Sequence, residues 1–110
     1  MGPVTKSELV PLLRKIDELL AFMNSLGLKR QPYFVKFIER MKYNIQTCIT
    51  VRYDGWEQMD GLLKRDWKEA NHTLLGIPDF EMPAENYEEK HRRSCQFLEL
   101  IGTIDMYING

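Results

Sequence analysis

Apolar residues recur at spacings of three and four along nearly the whole chain, and this periodicity constrains the fold more than any other feature. The spacing is that of one face of an α-helix. Glycine and proline interrupt it near residues 27–32, at residue 55 and at residues 76–83. We therefore predict an all-α fold, an antiparallel bundle of about four helices with short connections. The predicted helices cover roughly 8–26, 32–53, 55–75 and 84–108.

The end of the second predicted helix is ambiguous, because residues 48–53 read Cys-Ile-Thr-Val-Arg-Tyr. β-Branched residues that alternate in this way are also typical of a short strand. No second stretch of the chain has a strand pattern that could pair with it. The helix interpretation of residues 47–53 is therefore favoured over the strand. The connection at 76–83 is apolar, and we expect Phe80 and Met82 to fold back over the bundle.

The chain has 110 residues, which predicts one helical-bundle domain over 1–110. Its 44% hydrophobic and 28% charged residues are typical of globular proteins and exclude disordered and collagen-like classes. The formal net charge of −1 supplies no field that would attract nucleic acid. Basic residues around the second helix alternate with Glu39, which is typical of a solvated face. A nucleic-acid-associated accessory protein is kept as an alternative.

The cysteines and the chain start predict where the protein resides. Cys48 and Cys95 are too few for a disulfide scaffold and lack metal-ligand spacing. No apolar run approaches the roughly 20 residues of a membrane-spanning helix. The first residues lack the pattern of a secretory signal. We therefore expect a reduced, cytoplasmic protein without a membrane partner.

The second and fourth predicted helices carry apolar arcs wider than one bundle core needs. In the fourth helix the residues expected to face inward are Tyr87, Ser94, Phe97, Leu98, Ile101, Ile104 and Ile108. Either these two helices are central in a less regular packing, or they cover a second surface. A second copy of the chain would supply that surface, and we predict a homodimer. The predicted interaction surface consists of Val35, Tyr43, Tyr53, Met106 and Tyr107.

The strongest chemical motif is a pair of Glu-x-x-His sequences, Glu69 to His72 and Glu88 to His91. Two-metal helical bundles use this spacing because it places both ligands on one helix face. At 100° per residue, however, Glu69 and His72 fall opposite the apolar face of their helix. A small metal-binding bundle is therefore the alternative function. The main prediction is a non-enzymatic interaction module without a cofactor, which binds a protein partner through a helix face.

Overall fold

A computed structural model describes residues 3–110, and within this range the chain is helical and contains no strand. The four helices are α1 (Leu9–Ser25), α2 (Val35–Thr50), α3 (Met59–Ala70) and α4 (Tyr87–Asn109). Short 3-10 turns cover Lys6–Glu8, Trp56–Gln58 and Ile77–Asp79. The predicted all-α bundle of four helices is confirmed.

The four helices pack in a ring. α1 packs against both α2 and α4, while α2 also packs against α3. α3 meets α4 over a smaller contact. Since α2 and α4 each lie between the same two neighbours, they occupy opposite corners of the bundle. Their outward faces therefore point in different directions.

The helix interpretation of residues 47–53 is correct as far as Thr50, where α2 ends. Arg52 and Tyr53 then adopt left-handed conformations, with φ of 57° and 65°. The N–H of Tyr53 donates to the carbonyl of Cys48 at 2.8 Å, which closes the turn. Gly55 follows with φ of 78°, a conformation that costs glycine nothing. The predicted end at residue 53 is therefore three residues too late.

α3 is shorter than the predicted 55–75, because local contacts stop it at both ends. A 3-10 turn delays its start to Met59. At the other end the side-chain amide of Asn71 donates to the carbonyl of Trp67 at 2.9 Å. Gly76 then lies against the backbone of Ala70 and His72, where a Cβ does not fit. α3 thus has 12 residues beside the 23 of α4, so it covers only part of that helix.

The amino-terminal segment is fixed to α3. Val4 is buried, and its N–H donates to Asp60 Oδ1 at 2.8 Å. Lys64 also binds Asp60 Oδ1, and these two hydrogen bonds hold the pKa of the Asp60 carboxyl below its usual value. Glu8 Oε1 accepts from the N–H of Thr5 at 2.9 Å, and this bond lowers the pKa of Glu8. The segment therefore contributes to the core.

The connection between α3 and α4 packs on the bundle as predicted. Met82 is buried and Phe80 is half-buried against the core. The Phe80 ring lies 5.6 Å from Phe34 and 5.4 Å from Phe97, between centroids. Such aromatic contacts stabilise the packing beyond the area they bury. The expectation for Phe80 and Met82 is confirmed.

A buried carboxylate joins α2 and α3. Asp66 is fully buried, and its Oδ1 accepts from Arg40 Nε at 2.9 Å and Arg40 Nη2 at 2.6 Å. Its Oδ2 is buried without a hydrogen-bond partner among the described residues. The next residue, Trp67, donates from its indole N–H to Asp105 Oδ1 on α4 at 2.9 Å. Polar contacts therefore fix α3 to both of its neighbours.

Candidate interaction surface

The predicted interaction surface is not one continuous face in the structure. Val35 is only 5% exposed and belongs to the core, so it is not available to a partner. Tyr53 and Tyr107 are half-buried against the core. Tyr43 and Met106 are exposed, at 66% and 74%. They lie on α2 and α4, which occupy opposite corners of the bundle, so they do not share one surface.

α4 is exposed along most of its length. Only Phe97, Ile104 and Ile108 of its 23 residues are buried. The solvent side follows a helical stripe with spacings of four, four, three, four and four: Tyr87, His91, Cys95, Leu98, Gly102 and Met106. We call these six residues the outer face of α4. Tyr87 is 81% exposed and Leu98 is 64% exposed, so large apolar side chains lie along its length.

The amino-terminal half of this face is ordered by contacts within it. The ring of Tyr87 stacks on His91, with centroids 6.3 Å apart and an interplanar angle of 13°. Cys95 Sγ lies 3.6 Å from His91 Nε2. Farther along the helix, no atom lies within 4 Å of the position of a Cβ on Gly102. The outer face therefore has a gap at Gly102, between the exposed side chains of Leu98 and Met106.

Two exposed charges of opposite sign border the outer face on one side. Arg92 and Glu99 are seven residues apart, close to two helical turns, so they lie on the same side of α4. Within residues 3–110 neither side chain forms an ion pair. The neighbouring Arg93 differs, because it binds Glu89 at 2.8 Å and the Pro83 carbonyl at 2.7 Å.

An open apolar groove borders the outer face on its other side. It has a volume of about 440 Å³ and lies between the connection 77–82 and α4. Pro78, Phe80, Ser94 and Leu98 contribute to its walls. Since Leu98 belongs both to the groove and to the outer face of α4, the two form one continuous surface.

The Glu-x-x-His residues do not form a metal centre in the part of the chain that the structure describes. Glu69, His72, Glu88 and His91 are all exposed. His72 Nδ1 accepts from the N–H of Leu74 at 3.3 Å, so it caps a local turn. No group of three or more His, Cys, Asp or Glu side chains in residues 3–110 could hold a metal ion. The structure does not bring the two pairs together in such a group.

The basic residues of α2 are engaged by neighbouring side chains. Arg40 binds the buried Asp66, and Lys42 Nζ lies 2.8 Å from Asp17 Oδ1. Lys36 lies over the ring of Tyr33, 4.0 Å from its centroid. These contacts hold the three cations along one helix instead of gathering them in a groove that would follow a phosphate backbone.

Sequence reasoning placed two residues of the outer face on the wrong side of α4. Tyr87 and Leu98 were expected to face inward, and both are exposed. The signal was present, since Leu98 follows the buried Phe97 and is therefore rotated by about 100° from the core direction. The charged pair Arg92 and Glu99 was also missed, because exposed charged residues are ordinary on a helix surface.

The described residues include no helix with the length and apolarity to cross a membrane. Comparisons with protein-family models, with curated proteins and with solved structures found no match to this chain.

Proposed function

We propose that this protein is a non-enzymatic interaction module that associates with itself through the outer face of α4. The observation that carries the proposal is the exposure of Tyr87, Leu98 and Met106 along one stripe of a single helix. Monomeric proteins do expose single apolar side chains, but a row of them along a helix is typical of a contact surface. The row is available because the buried side of α4 is formed by other residues, Phe97, Ile104 and Ile108.

The shape of the face favours another helix as its partner. An amphipathic helix binds through residues spaced by three and four, which is the spacing of the outer face of α4. The missing side chain at Gly102 lets a second backbone approach closely at that position. One helix pair buries less than the roughly 800 Å² per partner that stable complexes reach. We therefore expect a weak dimer, with a dissociation constant of about 10 to 100 µM.

Sedimentation equilibrium tests the proposal on three proteins: the unchanged chain, Leu98→Glu and Tyr43→Glu. The unchanged chain is expected to reach the dimer mass at high concentration. Leu98→Glu should remain a monomer, because its carboxylate would be buried in the interface without a partner. Tyr43→Glu is the matched control, since Tyr43 is a similarly exposed apolar residue on α2. It should dimerise like the unchanged chain.

Circular dichroism verifies that both variants keep their helices, which exposed substitutions should not disturb. Two results would contradict the proposal. The first is an unchanged chain that stays monomeric at every concentration tested. The second is a dimer that Tyr43→Glu dissociates and Leu98→Glu leaves intact, which would place the contact on α2.

A further inference from the structure

Arg92 and Glu99 are charged residues at the border of the outer face of α4, where they can determine the orientation of a partner helix. Both are exposed, and within residues 3–110 neither has an ion-pair partner. Their separation of seven residues corresponds to about 10 Å along the helix axis. If an identical helix lies antiparallel on this face, its own Arg92 and Glu99 run in the opposite order along the same border. Each Arg then faces a Glu, so the two borders are complementary in charge.

The symmetry of a helix pair explains this complementarity. In an antiparallel pair, a two-fold axis perpendicular to both helices brings the same border of each helix together. Residues whose numbers add to a constant then lie at the same level. When that constant is 191, Arg92 of each copy lies level with the partner's Glu99. Both ion pairs form at once, one on each side of the axis.

We propose that a second copy of this chain covers the outer face of α4 in antiparallel orientation, with each Arg92 paired with the partner's Glu99. This inference rests on the proposed function and specifies the partner and the register. A parallel in-register pair would instead place this border of the two helices on opposite sides of the interface. Arg92 and the partner's Glu99 would then form no ion pair, so the charges favour the antiparallel arrangement.

The same register fits the shape of the face. His91 lies level with residue 100 of the partner, which falls between the partner's Leu98 and the partner's Gly102. Tyr87 lies level with residue 104, between the partner's Gly102 and the partner's Met106. Bulky side chains therefore enter the spaces beside the glycine, as knobs enter holes in helix packing. Cys95 lies next to the two-fold axis, close to the partner's Cys95.

Charge reversal tests the orientation. Arg92→Glu and Glu99→Arg are each expected to weaken the dimer about tenfold, because each replaces two attractive pairs with two repulsive ones. An equimolar mixture of the two variants should associate about as well as the unchanged chain, since every contact across the mixed dimer is again between opposite charges. The double variant should also recover. Raising the salt concentration should weaken the unchanged dimer.

A cross-linking experiment tests the position of the axis. The variant Cys48→Ser removes the buried cysteine and leaves Cys95 as the single thiol. A short bis-maleimide is expected to convert most of this protein into covalent dimers at concentrations where sedimentation shows association. Adding Leu98→Glu should reduce that yield to the level of random collision.

The outcomes separate this inference from the function on which it rests. A chain that dimerises, with no recovery in the mixture and no Cys95 cross-link, overturns the register and leaves the interaction module standing. A cross-link without recovery in the mixture overturns the antiparallel orientation. Recovery without a cross-link overturns the position of the axis. A chain that remains monomeric overturns both the register and the function.

Discussion

α2 and α4 have similar wide apolar patterns, but the fold uses them differently. α2 packs between α1 and α3, and six of its 16 residues are buried. α4 is longer, yet only three of its 23 residues are buried. The difference follows from α3, which packs along α2 but covers only part of α4. A wide apolar arc therefore indicates a central helix where the neighbours are long enough to cover it, and leaves an exposed apolar face where they are not.

The largest effect should separate a core position of α2 from an exposed position of α4. Ile45 is fully buried, so Ile45→Ala removes buried methyl groups and leaves a cavity. We expect the free energy of unfolding to fall by about 3 kcal/mol. Leu98→Ala is the control and should change it by less than about 0.5 kcal/mol. Urea denaturation at low protein concentration measures both, and equal losses would show that α4 is packed like α2.

A smaller effect is expected from the ion pair that fixes α2 to α3. Arg40→Leu leaves the buried carboxylate of Asp66 without its main cation. Isolating that carboxylate costs about 2 kcal/mol of unfolding free energy. Lys42→Leu breaks the half-exposed pair with Asp17 instead and should have almost no effect. If the two variants unfold at the same urea concentration, the contact of Arg40 with the buried Asp66 does not fix α3 against α2.

The contact between the amino-terminal segment and α3 predicts a dependence on pH. The folded-state pKa of Asp60 is lowered below its ordinary value of 3.8 by Lys64 and by the N–H of Val4. Its stabilising contribution is therefore present above pH 3.8 and is lost as the pH falls through the folded-state pKa. Asp60→Asn should lower stability by about 1 kcal/mol at neutral pH and reduce the loss at acid pH.

Denaturation curves at pH 7 and near pH 3 measure this prediction, with Asp79→Asn as the control on an exposed carboxyl. An Asp60→Asn variant as stable as the unchanged chain at pH 7 would show that the Val4 contact contributes nothing.

The smallest expected change in stability comes from replacing either of two exposed helical glycines. Gly61 on α3 and Gly102 on α4 both have open space where a Cβ would be. Alanine at either position should stabilise the monomer by about 0.5 to 1 kcal/mol, because glycine loses more conformational entropy on folding. Only Gly102→Ala should weaken the dimer in sedimentation, since its methyl group fills the gap at that position of the outer face. Equal dimerisation of the two variants would remove Gly102 from the interface.

Much of the fold could be predicted from the sequence, because helical periodicity reports directly on which side of a helix is buried. The number of helices, the inward positions of Phe97, Ile104 and Ile108, and the packing of the connection at Phe80 all followed from it. The end of α3 could not be predicted from the periodicity, since it depends on how closely Gly76 approaches the backbone of Ala70.

The candidate surface was harder to predict, because it also depends on contacts between parts of the chain that are distant in sequence. Met106 and Tyr43 were identified as exposed, but whether they share a surface depends on which helices are neighbours. Val35 is apolar and near the start of α2, and its pattern alone does not distinguish the core from the border of the arc. The pairing proposed for Arg92 and Glu99 depends on which face of α4 is exposed, and the sequence pattern alone did not determine that face.

Chemical shifts recorded over a range of protein concentration test the central claim most directly. In NMR spectra from about 10 µM to about 1 mM, we expect the Met106 methyl, the Leu98 methyls and the Tyr87 ring to shift together as the dimer forms. The ring of Tyr43 on α2 should not move. Two results would contradict the conclusion that the outer face of α4 is a contact surface. The first is a shift of the Tyr43 signals while the signals of Tyr87, Leu98 and Met106 stay unchanged, and the second is no shift at any concentration.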